Sequence, residues 1–179
     1  MINIDDFMHG FQQKLEEMFE DRIVFLGLQG SYGRNEAKET SDIDVVVIFN
    51  ELSDSDLFLY RSMIDEMPEK DLICGFVSSL SELTNWQKSD LLSLFWDTKA
   101  IMGSLAFLEP LFREKDKRDA VLAGACGIYH AASHNFLHAR DVAALKAIHK
   151  NVMFTQKPAG GLLPLGGKRN ADDRFCLEL

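Results

Sequence analysis

Hydrophobic positions along this chain change period several times, and each change marks an element. Between residues 4 and 20, Phe7, Met8, Phe11, Leu15, Met18 and Phe19 recur at three- and four-residue steps, which predicts an amphipathic helix. The run RIVFLGL, 22–28, is short, branched and apolar, and predicts a buried strand. A turn over Gln29–Ser31 and a short helix over Tyr32–Lys38 follow, before a second strand over Asp42–Phe49. SDSDLFLYRSMIDEM opens with capping residues and keeps helical spacing until Pro68 ends it. DLICGFVS, 71–78, reads as a third strand. Ser79 and Glu82 have the spacing of a capping box for a helix carrying Trp86. A short helix through Phe95 and Trp96 and a last strand in TKAIMG complete this half.

From about residue 104 the pattern is helical throughout, with its main block ending near Phe154. The remainder, QKPAGGLLPLGGKRNADDRFCLEL, is rich in Gly and Pro and has no periodicity, so a loop or disorder is expected. The same loss of pattern is what a truncated or frame-disturbed end would produce. The expected architecture is α/β (α+β), with a small mixed sheet in residues 1–103, a helical region in 104–156 and an irregular tail in 157–179.

Composition narrows the function classes. The chain has 179 residues, 46% hydrophobic and 26% charged, which suits a soluble globular protein. No apolar run is long enough to span a bilayer, and the acidic, amphipathic N-terminus is unlike a signal or transit peptide. Three scattered cysteines, Cys74, Cys126 and Cys176, form no zinc spacing and no even disulfide set, so a reducing cytoplasm is expected. A net charge of −9 argues against a grip on a nucleic-acid template, since phosphate affinity comes mainly from Lys and Arg. It leaves a nucleotide possible, because a metal ion can neutralise triphosphate locally.

The chemistry concentrates in GSYGRNEAKETSDIDVVVIF, residues 30–49. Asp42 and Asp44 stand two apart at the mouth of an apolar strand, so both face the same way. Carboxylates that close repel, and a divalent cation relieves the repulsion; Mg²⁺ takes one or two carboxylates together with phosphate oxygens and water. Upstream, Gly30 permits a sharp turn and Ser31 would stand at the start of the short helix, where free N–H groups favour phosphate. Arg34 could add a charge-assisted contact to a triphosphate.

Gly-Ser, a short helix, then Asp-x-Asp opening an apolar strand resembles the signature of the polymerase-beta-like nucleotidyltransferase superfamily. Within it the chain is most similar to small bacterial and archaeal nucleotidyltransferase domains, including those related to aminoglycoside nucleotidyltransferases. The resemblance is specific over residues 22–50, fair to about 102 and weak beyond. It implies that Gly30, Ser31 and Arg34 bind the nucleotide and that Asp42 and Asp44 carry one or two Mg²⁺ ions. It also implies a third carboxylate on a neighbouring strand, serving as metal ligand or base. Asp71 is the candidate, with Glu69 as substitute. Where the family's small members have glycine after the arginine, this chain has Asn35, which tolerates left-handed backbone well.

The implied activity is transfer of a nucleoside monophosphate from an NTP such as ATP to a hydroxyl of a small acceptor, with pyrophosphate leaving. Two alternatives are modification of a partner protein by an AMPylating antitoxin, and a non-catalytic nucleotide-binding or assembly module. Membrane and nucleic-acid partners are not expected, and the apolar helices after residue 104 offer a surface for a homodimer. His130, His134 and His138 share a helix face, which reads as surface or packing in the absence of a zinc-protease glutamate. Trp86, Phe95 and Trp96 read as core.

Overall fold

The computed structural model describes residues 2–155, so the predicted irregular tail and Cys176 lie outside the described residues. It divides into two compact units, Met1–Ala120 and Val121–Leu179. The first unit holds α1 (Ile4–Phe19), β1 (Ile23–Leu28), α2 (Gly30–Gly33), β2 (Ile43–Phe49), α3 (Asp54–Asp65), β3 (Ile73–Ser79), α4 (Leu80–Asn85), α5 (Lys88–Asp97) and β4 (Lys99–Gly103). The boundary falls within α6 (Glu114–His134), and the second unit continues through a π-helical turn at Asn135–Ala139 to α7 (Val142–Thr155).

The sheet order is β3-β2-β1-β4. β1 runs antiparallel to β2 and β4, whereas β2 and β3 are parallel. Because β2 is a central strand, its VVVIF run is buried on both faces. Val45, Val47 and Phe49 join Phe7, Met8, Phe11, Leu15 and Phe19 of α1 and Met63 of α3. Val46 and Ile48 join Leu83 of α4 and Leu91 and Leu94 of α5. An uninterrupted apolar strand is what a doubly covered sheet requires.

Local signals explain the boundaries. Asn3 caps α1, and its Oδ1 accepts from the Asp6 N–H. Ser79 and Glu82 form the expected capping box, the Ser79 N–H donating to Glu82 Oε2 at 2.9 Å. Gly75, at φ +145°, lies in register with Val45, and a Cβ there would stand 1.9 Å from the Val45 carbonyl oxygen. Only glycine lets β3 approach β2 so closely there.

Helix α2 corrects the sequence expectation. It spans Gly30–Gly33, not Tyr32–Lys38, because Asn35 adopts φ 58° and ends it early. The Asn35 N–H donates to the Tyr32 carbonyl at 3.1 Å and the Glu36 N–H to the Ser31 carbonyl at 2.8 Å. These paired bonds are a Schellman closure. The third strand also begins later, at Ile73, because Glu69 is left-handed at φ 60° and Lys70–Leu72 form a 3-10 turn. Trp86 and Trp96 are less buried than predicted, at 41% and 45% exposure, each with one ring edge against a phenylalanine.

In the second unit Asn135 is buried and ties the corner before α7. Its side chain donates to the Asp141 carbonyl at 3.2 Å and accepts from the Asp141 N–H at 3.0 Å. His130, His134 and His138 are exposed. Among the described residues no helix is long and apolar enough to cross a membrane.

Asp56 links α3 to the turn before β1. Its carboxylate accepts from the Ser53 N–H at 2.9 Å and meets Arg22 Nη2 at 2.9 Å. The Arg22 hydrogen bond foremost, then those from Ser53, hold its carboxyl well below the usual range. A depressed acid pKa contributes stability above the unfolded value, which is lost as pH falls toward the folded one. Wild-type stability should therefore decline on acidification below about pH 4. Asp56→Asn should be less stable at neutral pH and show a shallower acid slope, checked by thermal melts between neutral and acid pH.

Candidate functional site

The end of β1 and the start of β2 converge by their antiparallel pairing. Leu28 is in register with Val45, and the next residue, Gln29, donates its N–H to the Asp44 carbonyl at 2.8 Å. This places the Gly30 backbone against the Asp44 side chain. Gly30 has φ +64°, and a Cβ there would lie 1.8 Å from Asp44 Oδ2. The turn and the acid therefore form one construction, with glycine required both by backbone conformation and by space. Tyr32 of the same turn is buried in the core formed with α1, which anchors it from below.

Asp42 is exposed just before β2, and Asp44 is half-buried within it. The turn that returns the chain here is closed by the Ser41 N–H donating to the Lys38 carbonyl at 3.0 Å. Burial first, and the Asp42 charge second, push the Asp44 carboxyl above the ordinary aspartate range; Arg34 draws it back, and Asp97 adds to the rise. Two hard oxygen donors this close, with the charge of Asp44 disfavoured, suit a divalent cation completed by phosphate oxygens and water, the coordination Mg²⁺ prefers. Among the described residues no group of three or more His, Cys, Asp or Glu side chains is gathered to hold a metal ion.

The other sequence candidates fall around this pair. Ser31 lies within the first turn of α2 and not before it. Arg34 caps α2 and is ion-paired, with Nη1 2.9 Å from Asp97 Oδ2 and Nε 3.2 Å from Glu36 Oε2. Asp71 is exposed on the 3-10 turn leading into β3, at the same end of the sheet as Asp42 because β2 and β3 are parallel. Glu69 lies outside any strand, so the strand-face relation that would make it interchangeable with Asp71 does not hold.

Two residues were missed by sequence reasoning. Asp97 closes α5, binds Arg34 and bears electrostatically on Asp44, yet it lies 53 positions from Asp44 in a helix that reads as packing. Cys74 is the residue of β3 in register with Asp44, and it is exposed and free. In a parallel pair, in-register side chains share a face. A parallel partner separated by a helix leaves no local signal of its register. The apolar count of DLICGFVS identifies the strand without saying which residue meets Asp44.

Two substitutions probe this geometry. Gly30→Ala should lower folding stability by about 1–3 kcal/mol through left-handed strain, with a further loss from displacing Asp44, measured by chemical denaturation. Asp44→Asn should act in the opposite direction in metal-free buffer. A raised acid pKa means that wild-type stability falls as pH rises through it. The Asn variant should melt higher than wild type at neutral pH, and the advantage should vanish in acid, where Asp44 is protonated.

Residues 9–92 match the nucleotidyltransferase domain family. Among solved structures, the chain is similar to a toxin–antitoxin with AMP-PNP, at 17% identity and a TM-score of 0.40 over 81% of this chain and 97% of that one. It is similar to the toxin–antitoxin MntA-HpeT, at 14% identity and a TM-score of 0.39 over the same shares. A third similarity is to spectinomycin adenyltransferase AAD(9) from Enterococcus faecialis with ATP and spectinomycin. There the identity is 14% and the TM-score 0.48, over 94% of this chain and 93% of that one. No curated protein sequence matches significantly.

Proposed function

We propose that the chain, whose residues 9–92 match the nucleotidyltransferase domain family, transfers a nucleoside monophosphate from an NTP to a hydroxyl of a small-molecule acceptor. The observation that carries this reading is the fit of the Gly30 turn against the Asp44 carboxylate, which joins the glycine turn and the acid pair in one site.

In this reading the acceptor oxygen attacks the α-phosphorus in line, the bond from that phosphorus to the bridging oxygen breaks, and pyrophosphate leaves. The backbone N–H groups at Gly30 and Ser31 hold the outer phosphates, as free N–H groups opening a helical turn favour anions. Asp42 and Asp44 hold Mg²⁺, which when bound supplies neutralisation of the phosphate charge there. Asp71 receives the proton of the acceptor hydroxyl, from its place at the same end of the sheet. Arg34 orients the triphosphate, which requires phosphate to compete with Asp97 for the guanidinium. Most of the rate enhancement then comes from positioning and charge stabilisation.

A second reading is a nucleotide-binding module without transfer. What favours it is that Cys74 occupies the β3 position level with Asp44, and that no third acid is gathered with the pair among the described residues. Both readings share the nucleotide and differ in turnover.

Calorimetric titration of Mg²⁺·ATP and the other triphosphates separates them from an unrelated function. Wild type should bind at least one triphosphate in the range of about 1 μM to 1 mM usual for substrates. Binding should weaken by about a hundredfold or more in Asp42→Ala/Asp44→Ala, and comparably on chelation of the metal. Pyrophosphate release in a screen of hydroxylated acceptors would support transfer. Binding without release for any acceptor would favour the module, and no binding by folded wild type would defeat both.

A further inference from the structure

The outer face of α3 takes no part in the site at the sheet's mouth. The inner face of this helix buries Met63 and packs Tyr60 and Ile64 against the α1 side of the sheet. The outer face carries Asp54, Leu57, Phe58 and Arg61, at the i, i+3, i+4 and i+7 positions that form a single stripe. Leu57 and Phe58 are 46% and 71% exposed. Neither Asp54 nor Arg61 makes a side-chain hydrogen bond or ion pair among the described residues. They lie about 10 Å apart along the helix axis, at either end of the apolar pair.

The stripe is presented rigidly. Ser53 and Asp56 close a capping box at the start of α3, Arg22 binds Asp56, and Lys14 of α1 reaches Glu66 at its end at 3.3 Å. A surface with a negative charge, two apolar groups and a positive charge in line is its own complement when reversed. A two-fold axis midway between Leu57 and Phe58 sets Asp54 of one copy against Arg61 of the other, twice, with Leu57 against Phe58 at the centre.

We propose that this face of α3 docks a second copy of the chain, helix against antiparallel helix, held by two reciprocal Asp54–Arg61 pairs around an apolar centre. Charge complementarity selects that occupant. A strongly basic or strongly acidic partner would meet a like charge at one end of the stripe. The overall charge of −9 opposes self-association elsewhere, so local pairing of opposite charges sets the register. A contact of two helical turns falls below the ~1,200 Å² of stable complexes, and the dimer should dissociate at about 10–100 μM. The side chains that follow Asp44 on its face, Val46 and Ile48, pack on the opposite side of the sheet from α3, so pairing through α3 leaves the acid pair open.

The test is sedimentation equilibrium of the full chain across a concentration series, for wild type, Asp54→Lys and Arg61→Glu, with folding checked by circular dichroism. Wild type should shift from monomer toward dimer as concentration rises. Each single variant faces like charges at both ends, so its dissociation constant should rise about tenfold or more. An equimolar mixture of the two variants restores both attractive pairs and should recover near wild-type association. Misfolding of either variant cannot produce that recovery, and Phe58→Ser should weaken association in every background. A wild type that stays monomeric overturns the proposal and leaves α3 to a partner of another kind. A dimer indifferent to both charge reversals, as one held by the helices after residue 104 would be, overturns it too. So does a mixture of folded variants that fails to associate.

Discussion

Burial of β2 on both faces is the constraint from which the site follows. Val45–Phe49 cannot slip by one residue without exchanging the sets of side chains that meet α1 and α3 on one face and α4 and α5 on the other. That register puts the last paired position of β1 level with Val45, so the chain leaving β1 has to turn beside Asp44. A glycine at left-handed φ is the residue that can make the turn there. The polar chemistry at the mouth is thus positioned by apolar packing several residues away. Gly75 works to the same end from the parallel side, bringing β3 against β2 one residue beyond Asp44.

Much of this was legible in the chain. The period of Phe7, Phe11 and Leu15 identified α1, unbroken VVVIF identified a doubly covered strand, and Ser79 with Glu82 marked the start of α4. The strand pair flanking a Gly-Ser turn was visible because every part of it is local in sequence. Illegible features share one property: they depend on contacts between distant segments or on the conformation of a single residue. Asn35 was recognised as tolerant of left-handed geometry, but its tolerance did not say that it would stop α2 at Gly33. Asp97 reads as the polar end of a packed helix until the fold sets it against Arg34.

Electrostatics at the mouth are held in partial imbalance. Asp42 and Asp97 add negative potential at Asp44, burial adds a desolvation cost, and Arg34 offsets only part of both. A site tuned for folding alone would replace Asp44 with a neutral side chain, because a half-buried carboxylate beside another is a standing cost. The proposed cation would account for its presence, because binding one there would recover that cost.

Arg34 shows why the imbalance is not simply corrected. Its guanidinium is drawn toward Asp97 and Glu36, which fixes α2 to the end of α5 and keeps a positive charge near the acid pair without neutralising it. An arginine bound directly between Asp42 and Asp44 would stabilise the fold and occupy the place of a cation. Placing the counter-charge one step away leaves the acid pair open to the metal ion proposed above. It also leaves a cationic group whose partners are carboxylates, for which phosphate oxygens are a geometrically equivalent substitute. In the proposed reading the same ion pair holds the turn in the free protein and yields to a triphosphate, so that its structural and binding roles would be successive states of one contact.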